Sequence, residues 1–310
     1  MKSIALLSTA TLVAALASTD AYALANRTFV SGNGSDASPC SLGAPCRSFA
    51  GALTQTSPGG EIAVLDTAGY GAVTITQAVS IVNEEGVEAG ITVTSGDGIT
   101  INAGASDVVN LRGLTLVGAS GSGNGITFNS GGVLNIQNCV IRGFGSNGLN
   151  LVPTTTADIN VANTIVSGNA VHGISLQPSG AGLTVTASFE QVQSIHNKLA
   201  GFAVFGTLMT GSLRAIAADS LVSGNGGTGF AGGSATAAAA TIFTLVNSKA
   251  ANNMLGVSSA LNSAIFLNGS TVSGNTEGFS IGSGAPINSY GNNAITDTAN
   301  SGSLTSVALR

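Results

Sequence analysis

The sequence predicts an all-β protein: a single-stranded right-handed parallel β-helix solenoid of about 8–9 coils with a short N-terminal capping helix. Three observations predict it. First, a glycine followed by an apolar residue recurs at Gly98-Ile99, Gly125-Ile126, Gly148-Leu149, Gly173-Ile174, Gly201-Phe202, Gly229-Phe230, Gly256-Val257 and Gly278-Phe279. A period of about 25 residues held over most of a chain marks a stack of equivalent units. Second, the segments after these pairs align in columns. One column reads Leu111, Ile136, Val161, Phe189, Ala217, Leu245, Leu267; two residues earlier it reads Val109, Leu134, Ile159, Ala187, Ala215, Phe243, Ile265. Between them lies a column that starts Asn110, Asn135, Asn160, Ser188. Alternation of this kind is a strand with one buried face, and pairing of each strand with its own copy makes the sheet parallel. Third, helical spacing is missing, and the segments are rich in Val, Ile and Thr with Gly and Asn between them, as strands and tight corners require.

The elements follow in chain order. Lys2, the apolar run Ile4 to Ala17 and the small-residue patterns Ala21-Tyr22-Ala23 or Ala23-Leu24-Ala25 read as a secretory leader over 1–25,. The run is too short for a membrane span of about 20 residues. Residues 26–60 form an N-terminal cap and 61–310 the β-helix. In the cap, Cys40 and Cys46 close the loop SPCSLGAPC. Export to an oxidising compartment favours a short disulfide between them, the alternative being a metal half-site without nearby partners. Arg47 to Thr56 places Phe49, Ala50 and Leu53 at helical spacing, so a short amphipathic helix there covers the first coil,.

The corners of the helix form columns too. VSGN occurs at 166–169, 222–225 and 272–275, and its last residue extends to Asn169, Asn197, Asn225, Asn253 and Asn275. Stacked Asn side chains hydrogen-bond from coil to coil, and Asn tolerates the left-handed backbone of a tight corner. Cys139 aligns with Leu114, Thr164, Val192 and Ser220, which makes it a buried, inert thiol,. Leu304 to Leu309 reads as a last strand over the far end, where open edges need cover,.

Composition narrows the partners. Charged residues are only 7% of the chain and the net charge is −5, with no basic stripe, which excludes nucleic acid as a partner,. The 44% apolar content and strict alternation argue for a packed core over disorder,. No span remains after leader cleavage, so the mature protein is expected to be exported, periplasmic or extracellular.

The stretches RTFVSGNGSDASPC at 27–40, APCRSFAGAL at 44–53, GAVTI at 71–75 and GVLNIQNCVIRGF at 132–144 resemble a bacterial family of small secreted right-handed parallel β-helix repeat proteins in the pectin-lyase-like fold group. The resemblance implies a fold and export. That family is largely uncharacterised and transfers no catalytic residue.

The chemistry is read from the residues. A lyase needs clustered carboxylates for calcium, which takes six to eight oxygen ligands. Asp158 stacks between Val133 and Thr186, and Glu190 between Ala162 and Ala218, so no two coils align acids. Glu84, Glu85 and Glu88 cluster in an early turn and read as a solvated corner,. Asp97 and Asp107 share a coil without spacing that would pair them as a glycosidase needs,. Convergence of Asp97, Asp107 and Arg112 would raise the enzyme reading. His172-Gly173 reads as a surface histidine at a strand start.

A polar strip on the glycine-apolar strands offers a binding face. It comprises Asp97, Asn124, Asn147 and His172 before the glycines, Thr100, Thr127, Asn150 and Ser175 after them, and Asn102, Asn129 and Gln177 two residues on. It fades at Ala203, Ala231, Phe205 and Gly233. The expectation is an exported, non-catalytic polysaccharide-binding or surface-structural module with no cofactor and with polysaccharide or cell-surface glycan as partner. The alternative is a polysaccharide lyase or glycoside hydrolase, and calcium belongs only to the lyase.

Overall fold

The computed structural model describes residues 24–84, 86–235 and 238–308. The leader predicted over 1–25 lies outside the described residues except for Leu24 and Ala25. The chain winds into a right-handed parallel β-helix of about 8 turns. Every strand pairs parallel with its counterpart in the coils before and after, which gives three sheets of 12, 9 and 10 strands. One coil shows the pattern. Leu149–Leu151 lies in the 9-stranded sheet, Ala157–Ala162 in the 12-stranded sheet and Ile165–Ser167 in the 10-stranded sheet. These are called below the glycine sheet, the long sheet and the corner sheet.

The long sheet keeps the aligned register from coil to coil. Val109, Leu134, Ile159, Ala187, Ala215, Phe243 and Ile265 pair in sequence, as do Leu111, Ile136, Val161, Phe189, Ala217, Leu245 and Leu267. All of these side chains are buried. Phenylalanines thicken the middle of the core: the Phe189 and Phe202 rings meet edge to face at 5.0 Å, and Phe202 and Phe230 lie 5.3 Å apart. Burial of each such ring contributes about 1.5–3 kcal/mol.

The repeated glycine has a specific physical cause. A Cβ on Gly125 would sit 2.5 Å from the carbonyl oxygen of Gly148, and one on Gly256 would sit 2.5 Å from that of Gly278. From Gly98 to Gly256 each glycine is thus packed against the backbone of the glycine in the next coil, and no side chain fits between them. The backbone freedom of glycine is not what the period selects for here.

The corners hold two ladders. Asn169, Asn197, Asn225 and Asn253 each donate both backbone N–H and Nδ2 to the Oδ1 of the next Asn, at 2.9–3.1 Å, and Asn275 ends the run on the Asp297 carboxylate. These side chains are buried, so each bond satisfies groups that water cannot reach,. The left-handed backbone falls one residue earlier than expected, at Gly168, His196, Gly224, Asn252 and Gly274. The ladder Asn itself must turn its side chain inward to the stack, so its neighbour takes the strained turn. Between long and corner sheets a single left-handed residue turns the chain, at Gly113, Asn138, Asn163, Gln191, Asp219, Asn247 and Gly269. Just beyond it, Ser220 and Ser248 stack and accept N–H groups from the preceding coil. Cys139 occupies this column and is fully buried.

The N-terminal end is stapled shut. Cys40 and Cys46 form a disulfide. Ser48 caps the helix Phe49–Gln55 by accepting from the Gly51 N–H,. Phe49 and Ala52 are buried, with Leu53 packed beside them; Ala50 faces outward, because the i, i+3, i+4 face selects Ala52,. Asp36 accepts from the N–H groups of Arg47 and Ser48 at 2.9 Å, and Asp66 accepts from Ser31, Gly32 and Tyr70. Ala25–Val30 pairs with Thr56–Val64, so the cap continues the long sheet. Of the predicted strand Leu304 to Leu309, Thr305–Ser306 pairs against Ile287–Ser289, with Leu304 packed on the core. Residue 309, the end of the predicted last strand, lies outside the described residues. No helix among the described residues is long and apolar enough to cross a membrane.

Candidate functional site

The structure brings the polar strip onto one face of the glycine sheet. Thr100, Thr127, Asn150 and Ser175 pair across four consecutive strands. The next row slips once: Asn102 pairs with Ser130, because the strand bulges at Asn129,.

Much of this face is spent on holding coils together. Asp97 Oδ1 accepts the backbone N–H of Asn124 at 2.7 Å; Asn124 Oδ1 accepts from Asn147 and Asn147 Oδ1 from His172, at 3.0 and 3.1 Å. His172 Nδ1 completes the series by accepting the Ala200 N–H at 3.1 Å. The residues before the glycines are therefore a third ladder. Thr127 donates to Asp97 Oδ2 at 2.5 Å and is buried, as is Ser175. Gln177 donates to Thr207 at 2.8 Å. His172 is half-buried and tied to Ala200, where the sequence suggested a free surface position; burial holds its pKa below 6.5. Its acceptor role fixes the proton on Nε2.

Thr100, Asn102, Asn129 and Asn150 keep unused capacity among the described residues. Asn129 Nδ2 donates to Asn102 Oδ1 at 2.9 Å, which leaves the Asn102 amide donors and the Asn129 carbonyl without a protein partner. The Thr100 hydroxyl has none, and Asn150 accepts from Asn147 while its own amide donors have none. Phe205 lies across Gly233, where a Cβ would sit 2.8 Å from the ring.

The acidic residues do not converge. Asp107 Oδ2 accepts from Gly104 within its own turn at 2.7 Å, Asp97 is bound to Asn124 and Thr127, and neither pairs with Arg112. Arg27–Glu61, at 2.8 Å, is the one ion pair among the described residues. No group of three or more His, Cys, Asp or Glu among them comes together as a metal site. Glu84 and Glu88 are exposed in their turn, and Glu85 lies outside the described residues. Burial pushes the Cys139 thiol up to about 11, so no thiolate nucleophile forms there at neutral pH,.

A groove on the other broad face has more varied chemistry. It encloses about 270 Å³ on the outside of the long sheet, between Asn160, Thr186, Ser188, Arg214, Ile216 and Ile242. Thr186, which follows Asp158 in its column, is followed in turn by Arg214. An outward arginine in a chain this poor in charge was the signal available.

The fold is a right-handed parallel β-helix, consistent with the pectin-lyase-like fold. Among solved structures the chain is similar to pectate lyase Pel9A, with 15% identity and a TM-score of 0.59 over 91% of this chain and 80% of that one. Weaker likenesses are to the A-module of the Azotobacter vinelandii mannuronan C-5 epimerase AlgE4 (15% identity, TM-score 0.45, 83% and 82% covered) and to a rhamnogalacturonan lyase (12%, 0.45, 80% and 74%). No protein-family profile matches the sequence, and no curated protein sequence does. At such identity the likeness to pectate lyase shows the fold and carries no activity across.

Proposed function

We propose that this protein is an exported, non-catalytic glycan-binding β-helix, and that a polysaccharide lies across the coils of the glycine sheet. The observation that carries this reading is the run of unspent amide and hydroxyl groups of Thr100, Asn102, Asn129 and Asn150 on adjacent coils. Coils lie about 4.8 Å apart, so an extended chain of sugars running along the axis meets the Thr100 hydroxyl and Asn102 amide donors on one coil, the Asn129 carbonyl on the next and the Asn150 amide donors on the third. The rigid ladder behind them holds the row without the entropy cost of ordering loops on binding. The Cys40–Cys46 disulfide suits an oxidising compartment,.

The test is retention of the folded protein on a panel of insoluble and gel-cast polysaccharides, read together with unsaturated-product absorbance and new reducing ends. Retention without product supports the reading. Product formation establishes the rival, a polysaccharide lyase or hydrolase. No retention on any polymer by a protein of verified fold overturns the binding reading.

A further inference from the structure

We propose a second binding site, for an anionic sugar, in the groove around Arg214 on the outside of the long sheet. It rests on the glycan reading only for the class of ligand, and it uses a different sheet. Arg214 is exposed, and among the described residues its guanidinium has neither an ion pair nor a hydrogen-bond acceptor. The nearest acid in its column, Asp158, is two strands away, about 9.6 Å, and already accepts from Thr186. Five planar N–H donors without an acceptor match a carboxylate or sulfate, which they bind in pairs.

The neighbouring groups add hydroxyl recognition. A ladder runs along the outer face of the same sheet: Asn110 donates to Ser80, Asn135 to Asn110 and Asn160 to Asn135, at 2.7–3.1 Å. Every amide donates toward the N-terminal end. The ladder stops at Asn160, whose carbonyl oxygen is left as an acceptor at the mouth of the groove. The hydroxyls of Ser188 and Thr244, in the same column, have no protein partner among the described residues. Between those hydroxyls Ile216, 38% exposed, offers a flat apolar step, and Ile242 lies diagonal to it. Donors for an anion, an acceptor and hydroxyls for ring hydroxyls, and an apolar step for the C–H face of a ring together describe an acidic sugar. A bare anion gains nothing from Ile216, and a neutral sugar leaves the charge of Arg214 unmatched.

The experiment is a titration of the full protein with three oligosaccharides of equal length: a β-1,4-linked oligoglucuronate, the corresponding cello-oligosaccharide and its sulfated form. The first two share a backbone and differ in the carboxylate. The wild type is expected to bind an acidic oligomer at least about tenfold more tightly than the neutral one, the difference a charge-assisted hydrogen bond supports. Whichever acid binds more tightly identifies the anion. Arg214→Gln should abolish that difference and Arg214→Lys should keep part of it, while Asn150→Ala on the glycine sheet should weaken binding of the neutral oligomer and spare the Arg214-dependent binding of the acidic one. Undiminished acid preference in R214Q, or no acid preference in the wild type, overturns the inference. Retention of neutral polysaccharide lost in N150A would then still stand for the first reading. Failure to bind any glycan removes both.

Discussion

His172 accepts the backbone N–H of Ala200 through Nδ1 at 3.1 Å, in a column where Asp97, Asn124 and Asn147 do the same with side-chain oxygens. A proton on Nδ1 would remove that acceptor. Burial lowers the pKa of His172 from 6.5, so below that pH the unfolded chain binds more protons than the folded one. Its contribution to stability is full above about 6.5 and is lost as pH falls from there to the lowered folded value. Thermal melting from pH 7.5 to 5 should show a falling midpoint in the wild type. His172→Asn restores the oxygen acceptor of its column and should flatten that part of the profile. An unchanged slope in H172N would rule out this role.

The buried Asn ladder should be costly to interrupt. Asn225→Ala deprives the N–H and Nδ2 of Asn197 of their acceptor and leaves the Asn253 carbonyl with only the backbone N–H of its two donors, all within the core wall. Stranded buried groups cost about 1–3 kcal/mol each, so urea unfolding should report a loss of about 2–4 kcal/mol. Asn135→Ala, in the outer ladder that water reaches, should cost under about 1 kcal/mol. Equal losses would contradict the distinction.

Gly256→Ala tests the cause of the glycine period. The added methyl would sit 2.5 Å from the Gly278 carbonyl oxygen and 2.6 Å from Val272. Coils must separate locally, at about 1–3 kcal/mol, read as a lower unfolding midpoint. Gly284→Ala meets no atom within 4 Å and is left-handed, so its smaller cost comes from backbone strain alone,.

Cys139 should be silent in the folded protein. It is fully buried and its thiol is pushed up to about 11. A thiol-specific chromogenic reagent at pH 8 should titrate no cysteine until denaturant is added, and then one. Rapid labelling of the native chain would show that this corner opens.

The columns of the long sheet were legible because alternation and period are properties of the chain alone, and Ile136 can be matched to Val161 without coordinates. The strip was legible as a row but not in its chemistry. Whether Asn124 bends to the N–H of Asn147 or reaches into solvent depends on side-chain direction at a corner, which spacing does not encode. The same limit applied to the helix, where Ala50 and Ala52 differ only by rotation. It applied again at the corners, where the turn falls on Gly168 and not on Asn169. The Arg214 groove was missed for another reason: it depends on which neighbours leave an arginine unpaired, a property of surfaces from several coils.

The central claim is that the unspent groups of the glycine sheet hold a glycan. Affinity electrophoresis of the wild type and of a Thr100→Ala/Asn150→Ala double variant, through gels cast with a retained polysaccharide, tests it most directly. Both substituted groups lack structural duties beyond the Asn147–Asn150 contact, so the variant should fold and melt nearly as the wild type does. The wild type should be retarded, and the variant should migrate close to its rate in a blank gel. Equal retardation of the two proteins would contradict the claim.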